Sequence, residues 1–295
     1  MNLKIGDRVI NKKAPQWGLG QIVEFKGLYC KIFFVNFEDG YATFKKDTLD
    51  IMEKVEGKDT DHPLLNNLKL PDKDLETTKY RLISDLILQF LKIFPNGFYD
   101  EKYLDQERNY KIEAHELMTD LLDELSFGKL IKTSDYEKIC VNALKVVNKT
   151  NLIFPNEKMA LKDGLKSSDN KKEFSISLFD ILYGKSDLSE RFENYAKTLS
   201  NINASKWTIQ TYFLFITFPQ KYIFMKPSVT QYAAAAFAFE LNYKSEINWR
   251  SYETLLMFSS YVSKEISKIN ENLKPRDMID VQSFIWSSVA GKYIS

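Results

Sequence analysis

Two hydrophobic rhythms follow one another along this chain. From Ile5 to Ile51, apolar residues come in short β-prone runs: Arg8–Asn11, Gly20–Phe25, Cys30–Phe37 and Tyr41–Phe44. Turn signals separate the runs at Trp17-Gly18-Leu19-Gly20, Lys26-Gly27 and Glu38-Asp39-Gly40, and Asp39-Gly40 is the strongest hairpin signal among them. Strand, turn and strand at this spacing predict a small β-barrel over residues 1–55, closed as a five-stranded cylinder. So small a barrel leaves few residues to shape a catalytic pocket, which points to binding.

The rhythm then breaks. Glu53 to Thr78 is polar, carries Pro63 and Pro71 and has no period, so residues 56–78 read as a linker, with His62 exposed and idle within it. Leu64, Leu65, Leu68 and Leu70 are its apolar residues, suited to lying along a flanking domain. From Tyr80 a helical period takes over, with Ile83, Leu86, Ile87, Phe90, Leu91 and Phe94 on one stripe and Pro95-Asn96-Gly97 as the stop. Further helices are expected over Glu101–Leu125, Tyr136–Lys145, Lys158–Asp163, Phe174–Tyr183, Leu188–Ser200 and an almost wholly apolar Trp207–Phe218. Ser228 with Gln231 marks a helix start, Asn248 caps the helix beginning at Arg250, and Pro275 suits the first turn of Arg276–Trp286. The expected fold is α+β and multidomain, a small barrel followed by an all-helical domain over 79–295.

Composition narrows the function classes. The net charge is +1, and residues 1–55 hold nine Lys/Arg against seven Asp/Glu, so any nucleic-acid contact must come from a local patch. No apolar run reaches the length of a membrane span, and Cys30 and Cys140 both sit in apolar segments, which suits a reduced, cytoplasmic protein. Two histidines and two scattered cysteines make a structural metal site improbable. No Gly-rich phosphate loop and no Gly-x-Ser-x-Gly turn occurs, so no cofactor is expected.

Binding candidates lie in both parts. Trp17, Tyr29, Tyr41 and Phe44 would form an aromatic platform or fill the barrel core, and Arg8, Lys12 and Lys13 would touch phosphate or simply face solvent. Ser228–Leu241 followed by Asn248–Ile269 admits a helix-turn-helix with Lys226 and Arg250 on phosphate, although its connection is long and its second helix apolar enough for a core. Arg108, Lys111 and His115 share one helical face, and Asp277 and Asp280 are three apart on another. Joined across a cleft, these five would serve acid–base chemistry on nucleic acid; the alternative is an ion-paired helix interface.

Gly6-Asp7-Arg8-Val9, then Trp17-Gly18-Leu19-Gly20-Gln21-Ile22-Val23 and Val35-Asn36-Phe37-Glu38-Asp39-Gly40, resemble the SH3-like (Tudor/KOW-type) barrels of bacteria. Such barrels occur as small domains of unassigned function, on UvrD-type helicases and on transcription-coupled factors. The resemblance implies binding to DNA or RNA, or to a nucleic-acid-bound protein such as RNA polymerase or a helicase. The runs Asn151–Ile153, Glu157–Asp163, Phe224–Pro227 and Pro275–Trp286 resemble uncharacterised bacterial proteins, which carry no activity across. The expectation is a non-catalytic binding protein in a bacterial defence or mobile-element setting. A nucleic-acid-processing enzyme and a protein-only scaffold stand as alternatives.

Overall fold

The computed structural model describes residues 3–70 and 80–290, and the expected linker falls partly outside them, from Pro71 to Thr78. An antiparallel sheet comes first, made of β1 (Arg8–Asn11), β2 (Gly20–Lys26), β3 (Tyr29–Phe34), β4 (Tyr41–Lys45) and β5 (Met52–Val55). Its strand order is β4-β3-β2-β1-β5, so the hydrogen-bonded ladder is open, with β4 and β5 as its edges. The fifth strand lies just beyond the last run that the hydrophobic pattern marks.

The sheet has two apolar faces, and pleating explains why. On β3, Cys30, Ile32 and Phe34 alternate with Tyr29, Lys31 and Phe33. The first set packs with Val9, Ile22 and Met52 into a small core of the sheet's own. Phe33, on the other face, belongs to the large core of the helical region. A bulge between Ile22 and Glu24 leaves Val23 unpaired, and Val23 joins Phe33 in that larger core.

Helices make up the rest: α1 (Pro63–Asn66), α2 (Ile83–Ile93), α3 (Glu101–Tyr103), α4 (Asn109–Leu122), α5 (Glu124–Lys132), α6 (Tyr136–Asn148) and α7 (Pro155–Gly164). They continue as α8 (Ser168–Tyr183), α9 (Leu188–Asn201), α10 (Trp207–Thr217), α11 (Pro227–Ala236), α12 (Trp249–Ser267) and α13 (Met278–Ile285). The single helix expected over Glu101–Leu125 is divided. A π-helical turn, Leu104–Arg108, joins α3 to α4, and Asp123 then caps α5 by accepting from the Leu125 and Ser126 amides. A second π turn, Trp286–Ala290, follows α13. Asn248 caps α12 as expected, whereas α11 starts at Pro227 and α13 starts after the cap residue Asp277. Helix α10 is buried from Trp207 to Ile216.

The segment joining the two regions is bound to both. Leu64 and Leu65 are buried, Leu68 bridges to Phe239, and Leu70 is exposed. The Arg8 guanidinium donates to the Thr60 carbonyl and to Asn66 Oδ1. Tyr80 packs edge-on to Phe33 and donates its hydroxyl to the Val35 carbonyl at 2.8 Å. Gly40 closes the Asp39-Gly40 turn at φ +70°, where an added Cβ would stand 2.7 Å from Phe33 and 2.9 Å from Tyr80. Cys30 and Cys140 are free and buried, and burial pushes both thiols up to about 11. Among the described residues no helix is long and apolar enough to cross a membrane.

Candidate functional site

One end of the sheet carries an aromatic cluster. Pro15–Trp17 forms a short 3-10 turn ended by Gly18 at φ +72°, and a Cβ there would meet Asn36 and Val35 within 3 Å. That close approach lets the Asn36 amide donate to the Trp17 carbonyl and sets the indole beside the end of β3. Trp17 is half-buried, with ring centroids 5.4 Å from Phe34, 4.5 Å from Phe37 and 6.4 Å from Phe44. It caps the small core and still presents an edge, and Phe37 and Phe44 are half-buried beside it. Lys12 and Lys13 are exposed on the segment that leads from β1 into this cluster.

The other candidates on the sheet are placed differently. Arg8 is a strut: it donates to Gln21, to the Gly6 and Thr60 carbonyls and to Asn66. Tyr41 faces the joining segment, donating to the Lys69 carbonyl and lying under the Lys31 ammonium. Burial pushes its hydroxyl up to about 12. Tyr29 is half-exposed at the far end of β3, away from Trp17. Arg250 is exposed on the first turn of α12, but Ser251 and Tyr252 beside it are fully buried. A recognition helix needs those positions open, so α12 is a core helix. His62 is not exposed either. It packs on Tyr261, burial lowers its pKa, and its Nδ1 is enclosed without a partner.

Arg108, Asp277 and Asp280 do converge, inside a closed interface. Arg108 forks onto Asp277 at 2.8 and 2.7 Å and reaches Asp280 at 2.8 Å. Asp280 also accepts from the Arg276 amide and guanidinium and from the Tyr103 hydroxyl, while Asp277 caps α13 through the Ile279 and Asp280 amides. Burial opposes the Arg108 charge, but its two carboxylate partners outweigh that and raise its pKa. The Tyr103 phenol is raised by burial and by Asp280. Lys111 is fully buried and donates to Gln282 Oε1 at 2.7 Å and Ser283 Oγ at 2.8 Å, with Glu107 3.8 Å away. Desolvation brings its pKa down to about 8. His115 stays apart: its Nδ1 donates to the Ile216 carbonyl at 2.7 Å, at the end of α10. The five residues therefore form no open acid–base centre; four of them lock α13 and its cap against the π turn and the start of α4.

Beside this lock lies a cleft of about 180 Å³, bordered by both π turns and walled by Glu107, Tyr110, Asn151, Lys226, Gln282 and Trp286. The Lys226 ammonium sits between two rings, 4.4 Å from the centroid of Phe154 and 4.7 Å from that of Trp286. Burial lowers its pKa and nearby Glu157 acts the other way. Lys226, expected from the sequence to touch phosphate as part of a DNA-reading helix-turn-helix, instead lines this cleft. Tyr110, Gln282 and Trp286 escaped sequence reasoning; the signal for Trp286 was its place in the run Pro275–Trp286. Among the described residues no group of three or more His, Cys, Asp or Glu is placed to hold a metal ion. Compared with protein-family models, curated proteins and solved structures, the chain matches none of them.

Proposed function

We propose that this is a non-catalytic binding protein whose N-terminal sheet, an SH3-like barrel in plan, contacts single-stranded nucleic acid. The observation that carries the reading is the Trp17–Phe37–Phe44 cluster, half-buried and entered by a segment carrying exposed Lys12 and Lys13. Aromatic faces take bases and lysines take phosphates, a pairing that tolerates sequence and needs no large net charge. The SH3-like plan is supported by β1 lying between β2 and β5 and by the 3-10 turn Lys46–Ile51 ahead of β5. The closed ion-pair lock at Arg108 weighs against the nucleic-acid-processing enzyme.

Filter binding over a salt series, with single- and double-stranded DNA and RNA, tests this. Binding should weaken as salt rises, with a shallow slope befitting about two to four phosphate contacts. A stacked base is worth about 1–3 kcal/mol, so Trp17→Ala should weaken binding roughly tenfold. Lys12→Ser with Lys13→Ser, at exposed positions, should weaken binding without changing the melting temperature. No binding to any of the probes at low salt removes the nucleic-acid reading and leaves the scaffold.

A further inference from the structure

We propose that the cleft between the two π turns is a binding site for a small phosphate ester carrying a single flat ring, the size of a pyrimidine nucleoside monophosphate. Three observations converge on it. First, the buried charges behind the cleft balance: Arg108, Lys111 and Arg276 face Glu107, Asp277 and Asp280. Lys226 is the cation among the residues that line the cleft itself. The rings of Phe154 and Trp286 hold its ammonium, and no carboxylate forms an ion pair with it among the described residues. Glu157, the acid that acts on it electrostatically, also accepts from the Phe154 amide and the Thr208 hydroxyl.

Second, Lys226 is the N-cap residue of α11 and no side chain caps that helix, and Val229 and Thr230 of its first turn line a recess of about 20 Å³ that shares Lys226 and Gln282 with the cleft. Uncapped amides and the positive end of a ten-residue helix favour an anion beside the lysine. Third, the rest of the wall suits a polar ring. Trp286 and Tyr110 offer aromatic surface, and Asn151 offers an amide. Gln282 has its Oε1 engaged by Lys111, so the group it has to offer a ligand is its NH₂. A cavity of roughly 150 Å³ holds one benzene ring, so the 180 Å³ here takes the flat ring alone, and the sugar and phosphate of such an ester extend past Lys226 towards solvent.

Isothermal titration of the full chain with uridine monophosphate, uridine and inorganic phosphate tests the assignment. A 5′-phosphorylated oligonucleotide, alongside its unphosphorylated form, tells a free nucleotide from a strand terminus. Uridine monophosphate or the 5′-phosphorylated oligonucleotide should bind more tightly than its unphosphorylated counterpart. Lys226→Met, which keeps the apolar stem, should weaken that binding about tenfold or more. Asn151→Asp, at an exposed position, adds a negative charge at the mouth and should weaken it even if Lys226→Met folds poorly. Inorganic phosphate binding as tightly as the nucleotide would remove the ring from the assignment. Absence of binding by both phosphorylated probes, or binding indifferent to both substitutions, overturns it.

Discussion

Lys111 is charged only against resistance. Its ammonium is fully buried, and its pKa falls from 10.5 to about 8 in the folded chain. Below pH 8 both folded and unfolded states hold the proton, and the desolvation penalty is felt in full. Between pH 8 and 10.5 the unfolded chain binds more protons than the folded one, so this group's contribution to stability rises with pH. Urea unfolding of wild type and Lys111→Met should therefore show wild type gaining on the variant by up to about 1.4 kcal/mol per pH unit in that window. The difference between the two proteins is the needed measurement, because the cysteines act in the opposite sense there: thiols raised to about 11 make the folded state lose stability as pH climbs. A flat difference would show that Lys111 is not desolvated. Arg108 makes a second residue-scale test. Arg108→Met leaves buried Asp277 without its ion-pair partner, while Asp280 keeps Arg276, and should cost about 3 kcal/mol, with Arg108→Lys between, because an ammonium cannot fork. The spacing of Arg108, Lys111, Asp277 and Asp280 was legible in the sequence. Their closed pairing was not, because burial depends on how α13 docks.

At the scale of elements, the junction of sheet and helices rests on a turn and a ring. Tyr80→Phe leaves the Val35 carbonyl without its donor and should cost about 1–2 kcal/mol. Gly40→Ala should cost more, since it strains a left-handed turn and also drives a methyl group into Phe33 and Tyr80. Amide exchange in β3 and β4 reads the order: Gly40→Ala should speed it more than Tyr80→Phe, and the reverse order would contradict the packing described. Four strands were readable because the alternation Cys30-Ile32-Phe34 against Tyr29-Lys31-Phe33 is a period of two. The fifth strand was counted but not placed, because Met-Glu-Lys-Val is short and mixed, and only its pairing with β1 makes it a strand. The break before α5 did leave a trace, since Asp123 with Ser126 three residues on is a cap pattern. The π turns left none: one inserted residue changes a helix's register without changing its composition.

For the whole molecule, Val23 and Phe33 of the sheet pack into the helical core. Scanning calorimetry should give a single unfolding transition, and two resolved peaks would show that the shared core is energetically unimportant. The two-region plan was visible as a change of rhythm. The contacts that unite the regions were hidden, because residues far apart in the chain make them, as Leu68 does with Phe239 and Arg8 with Asn66.

The pins at Leu68 and Tyr80 have a consequence for enzymatic cutting. Both flanks of the intervening stretch are anchored, one to Phe239 and the other to Val35 and Phe33. A protease severing the chain once between Leu70 and Tyr80 would make two polypeptides on a denaturing gel. On a sizing column they would still travel as one particle.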